Sequence, residues 1–99
     1  MAKKTAAVKN PAVIVRTRSA GVHFGYVIDR DGSEIHLERS RRIWSWKGAN
    51  TLSEVATDGI NIASSRVASP VSIILPDAIE IITCTDKAVA NLEAAKWAK

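Results

Sequence analysis

Residues 13–38 read VIVRTRSAGVHFGYVIDRDGSEIHLE, and this stretch decides the fold because it predicts three β-strands joined by two turns. Apolar and polar residues alternate along much of it, which is the period of a half-buried strand. Asp31-Gly32 predicts a tight hairpin, since a type I′ turn needs positive φ. With this turn and another at Ser19-Ala20, the large apolar side chains align on one face of the three strands. That face consists of Val13, Val15, Val22, Phe24, Tyr26, Ile28, Ile35 and Leu37.

The rest of the chain predicts further strands and two helices. Thr51-Leu52-Ser53-Glu54 has the pattern of a capping box, and Gly59 suits the end of that short helix. Further strands are predicted at 41–46, around 66–68, at 71–75 as an edge strand between two prolines, and at 78–83, buried on both faces. Thr85 or Asp86 begins a C-terminal helix whose apolar stripe includes Val89, Leu92 and Ala95.

These elements define an α+β, β-rich fold class. We predict a five- or six-stranded, mainly antiparallel curved sheet or partial barrel, with one short internal helix and a C-terminal helix. Residues 1–11 are predicted to form a flexible basic N-terminal arm, and residues 12–99 a single globular domain.

Composition limits the classes of function. The net charge of +4 favours anionic partners, and a lone cysteine, Cys84, excludes an internal disulfide and a cysteine zinc cage. No apolar stretch reaches membrane-spanning length, so no membrane partner is expected. The sequence has no nucleophile elbow, no glycine-rich phosphate loop and no close metal-ligand spacing. We therefore predict no catalytic residues, no metal site and no cofactor, and expect that the protein is not an enzyme.

The first candidate for binding is the segment from Arg41 to Gly48, RRIWSWKG, which holds two of the three tryptophans. In an extended strand, Arg42, Trp44 and Trp46 share one face. A cation beside two indoles can stack on a base and attract a phosphate. The same side chains can equally form core or a subunit contact, because large aromatics supply burial in small domains and are enriched at interfaces.

The second candidate is a polar face of the predicted sheet with Arg16, Arg18, His23 and His36, where Arg16 is expected opposite His23. Two arginines can clamp a phosphate, and Gly25 between the strands would let a ligand approach the backbone. The alternative is a solvated sheet face. The serine-rich segment 59–70 also contains Arg66 and other hydrogen-bonding side chains, but it is interpreted as a connector.

Three runs of this sequence resemble a small domain-of-unknown-function family found in tailed-phage and prophage genomes: VIVRTRSAGVHFGYV, RRIWSWKGANTLSEVA and AIEIITCT followed by ANLEAAKWA. The resemblance covers roughly residues 12–98, and its most specific part is the Arg-Arg-Ile-Trp-Ser-Trp block. It implies a short soluble phage protein, acting in the cytoplasm of the infected bacterial host. It brings no activity and no catalytic residues.

The resulting prediction is a non-enzymatic phage protein that self-associates and binds a partner through a basic, tryptophan-containing surface. Its sharper form is a counter-defence protein that sequesters an anionic cyclic nucleotide signal. The predicted ligand-binding residues are Arg16, Arg18, His23, Arg42, Trp44 and Trp46. Three alternatives stay open: a nucleic-acid-binding accessory protein, an inhibitor of a host protein, and a structural protein of the virion or its assembly.

Overall fold

The computed structural model describes residues 10–95, which form one six-stranded antiparallel sheet with two helices. Along the chain the elements are β1 (Ala12–Thr17), β2 (Val22–Asp31), β3 (Glu34–Ser45), α1 (Leu52–Asp58), β4 (Arg66–Val67), β5 (Val71–Leu75), β6 (Ala78–Thr83) and α2 (Asp86–Ala94). The strand order is β4-β3-β2-β1-β6, and β5 also pairs with β3. Neither helix of this part of the chain has the length and hydropathy needed to span a bilayer.

The predicted α+β, β-rich class is confirmed, and so are the open antiparallel sheet and both helices. The predicted basic arm falls almost wholly on residues 1–9, which lie outside the described residues. One strand boundary was wrong, because the two strands predicted at 34–38 and 41–46 are a single strand, β3. The chain continues through Arg39, whose φ of 48° marks a bulge where the register of β3 shifts against both β2 and β5.

The predicted registers of both hairpins were wrong. The β2–β3 turn lies at Gly32-Ser33 instead of Asp31-Gly32, so Arg30 pairs with Ile35 and the register beside the turn is shifted by two residues, which leaves each side chain on its predicted face. An irregularity between Val27 and Asp29 reduces the shift to one residue further along. The β1–β2 connection is a four-residue loop, closed by hydrogen bonds between Thr17 and the Gly21 carbonyl, and Ile14 therefore pairs with Phe24, one residue from the predicted register. Because side chains alternate between faces, a shift of one residue moves each neighbour to the other side.

The sheet consequently has a core on each face, where the sequence predicted a single apolar face. The helix-side core is closed by α1 and α2 and contains Ile14, Phe24, Tyr26, Ile43, Val55, Val67 and Leu92. The second core contains Val13, Val15, Ile35, Leu37 and Leu75, with Ile81 packed against it. The strands β5 and β6, which lie at opposite edges of the sheet, both contribute to this second core. The prediction of one face is also wrong for Ile28, which is exposed.

The strand β6 is an edge strand that pairs with β1, and the prediction that it is buried on both faces was wrong. Ile79 on this strand is 49% exposed. The run of β-branched residues that suggested a buried strand is compatible with an edge as well, since β-branched side chains favour extended backbone wherever one face is covered.

Both predicted helix starts are confirmed. The Thr51 hydroxyl accepts a hydrogen bond from the Glu54 backbone N–H at 3.2 Å, and Thr85 does the same for Ala88 at 3.2 Å. The two helices are joined through Asn91, whose side-chain amide bonds both the N–H and the carbonyl of Ile60 at 2.8 Å. Gly59, with φ of 84°, lies so close to Asn91 that a side chain there would overlap it.

Candidate functional site

Trp44 lies near the end of β3 and is 50% exposed. The guanidinium of Arg66 lies over its indole, 5.2 Å from the ring centroid, within the distance at which a cation is attracted to an aromatic face. Arg42 lies two residues before Trp44 and is also exposed, whereas Ile43 between them is buried in the helix-side core. Alternation therefore places Arg42 and Trp44 on the same face. We call Arg42, Trp44 and Arg66 the Trp44 surface.

The pairing of β4 with β3 brings Arg66 to this position. Val67 is buried in the helix-side core and pairs with Ile43, and Arg66 pairs with Ser45. From one of these pairs to the next, β3 advances by two residues and β4 by one. Trp44, which lies between Ile43 and Ser45, is therefore at an irregularity in the register. The Ala68 N–H then donates to the Arg42 carbonyl at 2.8 Å, which continues the contact beyond β4.

Neither arginine of the Trp44 surface forms an ion pair with a carboxylate of residues 10–95. The ion pairs within this range are Arg16–Glu80, Arg39–Glu38 and Lys87–Asp58. Two positive charges therefore flank a half-exposed indole without a described carboxylate to neutralise them. This arrangement suits a ligand that combines an aromatic ring with a negative charge.

Trp46 lies elsewhere, although the sequence predicts it on the same face as Trp44. The strand β3 ends at Ser45, and Trp46 packs half-buried against the helix-side core. It lines a cavity of about 390 Å³ with Arg16, Glu80 and the start of α1. Arg16 lies 3.8 Å from Glu80, and both side chains are more than half exposed, so this ion pair contributes little stability. The structure therefore divides the predicted site between two faces of the sheet.

His23 is 1% exposed, so the prediction that it lies on an exposed polar face was wrong. Its Nε2–H donates to the Ala20 carbonyl at 2.9 Å. Burial lowers the pKa of His23, the Ala20 hydrogen bond opposes this, and the positive charge of Arg42 lowers the pKa further. A neutral, hydrogen-bonded imidazole closes the β1–β2 loop here. In the observed register His23 pairs with Val15 and Arg42, not with Arg16.

Two further expectations about this face change with the structure. Arg18 is exposed beyond the end of β1, and its backbone N–H donates to the Asp77 carbonyl at 3.2 Å. Gly25 is buried, and a Cβ there would lie 3.2 Å from both Leu37 and Ser40. The neighbouring strand occupies the space that the sequence analysis reserved for a ligand.

The structure assembles a cavity of about 690 Å³ that sequence reasoning missed. The Tyr26 hydroxyl donates to the Glu93 carboxylate, and the Arg39 guanidinium lies 3.9 Å from the Tyr26 ring centroid. Cys84 also lines this cavity, where burial raises its pKa to about 12, so the thiol is protonated and a poor nucleophile. These residues come from β2, β3, the segment after β6 and α2, and no sequence motif connects them.

Arg41 is a second residue whose role was missed. Its side chain is buried, its Nε–H donates to the Ala68 carbonyl at 2.8 Å, and another N–H donates to the Leu92 carbonyl at 3.0 Å. Burial lowers the pKa of this guanidinium. Leu92 lies in the last turn of α2, where a cation is favourable to the helix dipole. Arg41 thus ties β3 to the end of α2 and to the chain before β5.

The arrangement of possible metal ligands gives no candidate centre within residues 10–95, where no three His, Cys, Asp or Glu side chains form a group that could hold a metal ion. The described site is therefore a surface of cations and an aromatic ring on an antiparallel sheet of an α+β fold.

The chain belongs to the domain of unknown function family DUF6948, whose model matches residues 10–92. No curated protein and no solved structure matches the chain. The match confirms that the resemblance found in the sequence is to a domain of unknown function. It covers every strand and both residues that flank Trp44 on its surface.

Proposed function

We propose that this chain is a non-enzymatic binding protein that takes an anionic nucleotide on the Trp44 surface. The observation that supports the proposal is the half-exposed indole of Trp44 with the Arg66 guanidinium 5.2 Å from its centroid. Arg42 lies on the same face of β3. The base stacks on the indole, and the guanidinium groups of Arg42 and Arg66 bind the phosphate.

The energetics favour a small ligand with both a ring and a phosphate. Stacking on an aromatic side chain is worth about 1–3 kcal/mol per base. A guanidinium that is already close to the indole face is preorganised, so less side-chain entropy is lost when the phosphate binds. A ligand with a phosphate but no ring, or a ring but no charge, forfeits one of the two contributions and binds more weakly.

The biological role we propose is the one that a phage origin implies. A small protein with these properties sequesters a cyclic nucleotide signal in the cytoplasm of the infected host and so opposes host defence. A net charge of +4 supports attraction of such anions. Catalysis is not part of this proposal, because sequestration requires affinity alone.

Isothermal titration calorimetry against a panel of cyclic mono- and dinucleotides tests the proposal. We expect saturable heat with at least one member of the panel. In Arg42→Gln and in Arg66→Gln we expect the affinity for that nucleotide to fall at least tenfold, which corresponds to about 1.4 kcal/mol or more of binding free energy. Arg16→Gln is the matched control, because Arg16 is an exposed arginine on the other face, and we expect wild-type affinity from it. Absence of heat with the whole panel, or equal losses in all three variants, would contradict the proposal.

Single-stranded nucleic acid is the second candidate ligand, favoured by the same pair of arginines beside an exposed indole. A labelled oligonucleotide then binds with an affinity that falls steeply as salt rises and with little base preference. Binding of a cyclic nucleotide depends less on salt, because fewer phosphates are contacted. Fluorescence anisotropy over a series of salt concentrations separates the two ligands. Neither inhibition of a host protein nor a role in the virion involves a nucleotide, so under these two alternatives no nucleotide binding that depends on Trp44 is expected.

A further inference from the structure

The strand β5 forms one edge of the sheet. Within residues 10–95 it pairs with β3 alone, and its other edge is open. It has the sequence VSIIL, with no charged residue, and prolines stand directly outside both ends. An open, uncharged, β-branched edge is a template for pairing with another chain, and the features that restrict pairing here are the short length of the strand and the two flanking prolines.

Exposed apolar side chains are concentrated on this strand. Val71 is 53% exposed and Ile74 is 55% exposed. Ile74 pairs with His36 of β3. Its side chain lies on the opposite face of the sheet from the second core, where it stays exposed. The opposite edge, β6, differs, because it carries Glu80 within reach of Arg16 and its pairing with β1 is interrupted at Arg16/Thr17. A charge and an irregular register make β6 a poorer template.

The two ends of β5 differ in charge. At the Leu75 end, Ile74 lines a small cavity with three carboxylates, Asp29, Asp31 and Glu34, and one arginine, Arg30. At the Val71 end, Pro70 lines a cavity with Arg39, the buried Arg41 and Glu93, and Arg39 is paired with Glu38. Antiparallel pairing of β5 with itself places the acidic end of each copy beside the end of the other copy that carries these arginines. Parallel pairing would bring the two acidic ends together.

We propose that β5 pairs antiparallel with β5 of a second copy of this chain, so that the two sheets become one continuous sheet across a two-fold axis. The interface is isologous, because the same strand contributes from both sides. Ile74 packs against the partner strand on one face of the sheet and Val71 on the other face, and the two acidic ends lie apart. A five-residue strand pair buries less surface than a standard stable interface, so the dimer forms in a concentration-dependent manner. The proposal depends on β5 and not on the Trp44 surface.

Sedimentation velocity over a series of protein concentrations, in reducing buffer so that Cys84 forms no crosslink, tests this pairing. We expect the mass of the wild-type protein to rise from 10.7 kDa toward twice that value. Ile74→Lys places a charge beside its own copy at the axis and keeps the protein at monomer mass. Ile79→Lys is the matched control, because Ile79 is similarly exposed on β6, and it associates like the wild type.

Hydrogen exchange provides the second measurement and identifies the strand. Amides of β5 become more protected as the wild-type concentration rises, and they do not in Ile74→Lys. Circular dichroism shows whether both lysine variants keep the fold, which we expect at exposed positions. A wild-type protein that stays monomeric at every concentration overturns the proposal. It does so even if β5 pairs with a strand of a different protein, because the proposed partner is a second copy of this chain. Association that survives Ile74→Lys or is lost in Ile79→Lys also overturns it.

Discussion

Trp44 and Trp46 stand two residues apart and have different surroundings. Trp44 is half exposed beside Arg66, whereas Trp46 packs against the helix-side core next to Arg16 and the start of α1. The difference arises because β3 ends at Ser45, so the alternation of side chains stops between the two indoles. Two tryptophans share a face only if the strand continues through both of them. Because β3 ends one residue before Trp46, the two indoles lie in different environments.

The same comparison extends to the two sides of β3. Residues that point to the helix side, such as Ile43, are closed over by α1 and α2, whereas Arg42 and Trp44 point away from the helices. The first set is expected to determine the free energy of unfolding. The second set is expected to determine ligand affinity, with little effect on stability. Neighbouring residues on β3 therefore offer matched pairs of variants that can break this division.

The largest effect is expected for Ile43→Ala compared with Trp44→Ala. Ile43 is 2% exposed, and removing its side chain leaves a cavity in the helix-side core, which costs about 2–5 kcal/mol of the free energy of unfolding. Trp44→Ala is expected to cost less than about 1 kcal/mol, because half of the indole is already solvated. Urea denaturation of both variants measures this. Equal losses from the two variants would contradict the division of β3.

A smaller effect is expected for Arg41→Met compared with Arg42→Met. Methionine keeps much of the volume of Arg41 but donates no hydrogen bond, so the Ala68 and Leu92 carbonyls lose their partner. The cost is about 1–3 kcal/mol of the free energy of unfolding. Arg42→Met, on an exposed side chain, is expected to change stability by less than about 0.5 kcal/mol. A thermal melt that ranks the two variants in the reverse order would count against a structural role for Arg41.

The smallest effect concerns the pH dependence of stability through His23. Burial holds the pKa of His23 below 6.5 in the folded state, whereas in the unfolded chain the pKa is about 6.5. Above both values the imidazole is neutral in both states and the contribution is fully present. As the pH falls below about 6.5, the unfolded state binds the proton first, so stability is lost until the pH is below the folded pKa.

His23→Gln tests this linkage, since the glutamine amide can still donate to the Ala20 carbonyl and does not titrate. Wild-type protein is expected to lose more stability than His23→Gln between about pH 8 and about pH 5. Parallel denaturation curves at several pH values provide the comparison. An identical slope in both proteins would mean that His23 titrates equally in the folded and unfolded states.

Much of the fold follows from local signals in the sequence. The capping residues Thr51 and Thr85, the prolines around β5 and the strand patterns of β1 and β2 each report on a few neighbouring residues, and the positions of these elements were confirmed. The register was harder, because it depends on which two residues occupy each turn. Asp31-Gly32 is a strong turn signal, yet the turn lies one residue later, and the bulge at Arg39 gives no signal in the sequence.

The candidate site was predictable only in part for the same reason. Arg42 and Trp44 share a face because they are two apart in one strand, which alternation predicts. Arg66 joins them from a different strand, 22 residues after Trp44 (66 − 44). Its position depends on the pairing of a two-residue strand, β4, and local pattern does not determine long-range pairing. His23 was placed on the wrong kind of surface because the one-residue error in register moved it next to Val15.

Nitrogen-15 NMR of the indole N–H groups tests the central claim most directly. The three tryptophans give three resonances, which Trp44→Phe and Trp46→Phe assign. On titration with the cyclic nucleotide that gives the strongest calorimetric signal, the Trp44 resonance is predicted to shift with saturation and the Trp46 resonance to stay in place. A Trp46 shift with an unmoved Trp44, or no shift of either at saturating nucleotide, would contradict a ligand-binding Trp44 surface.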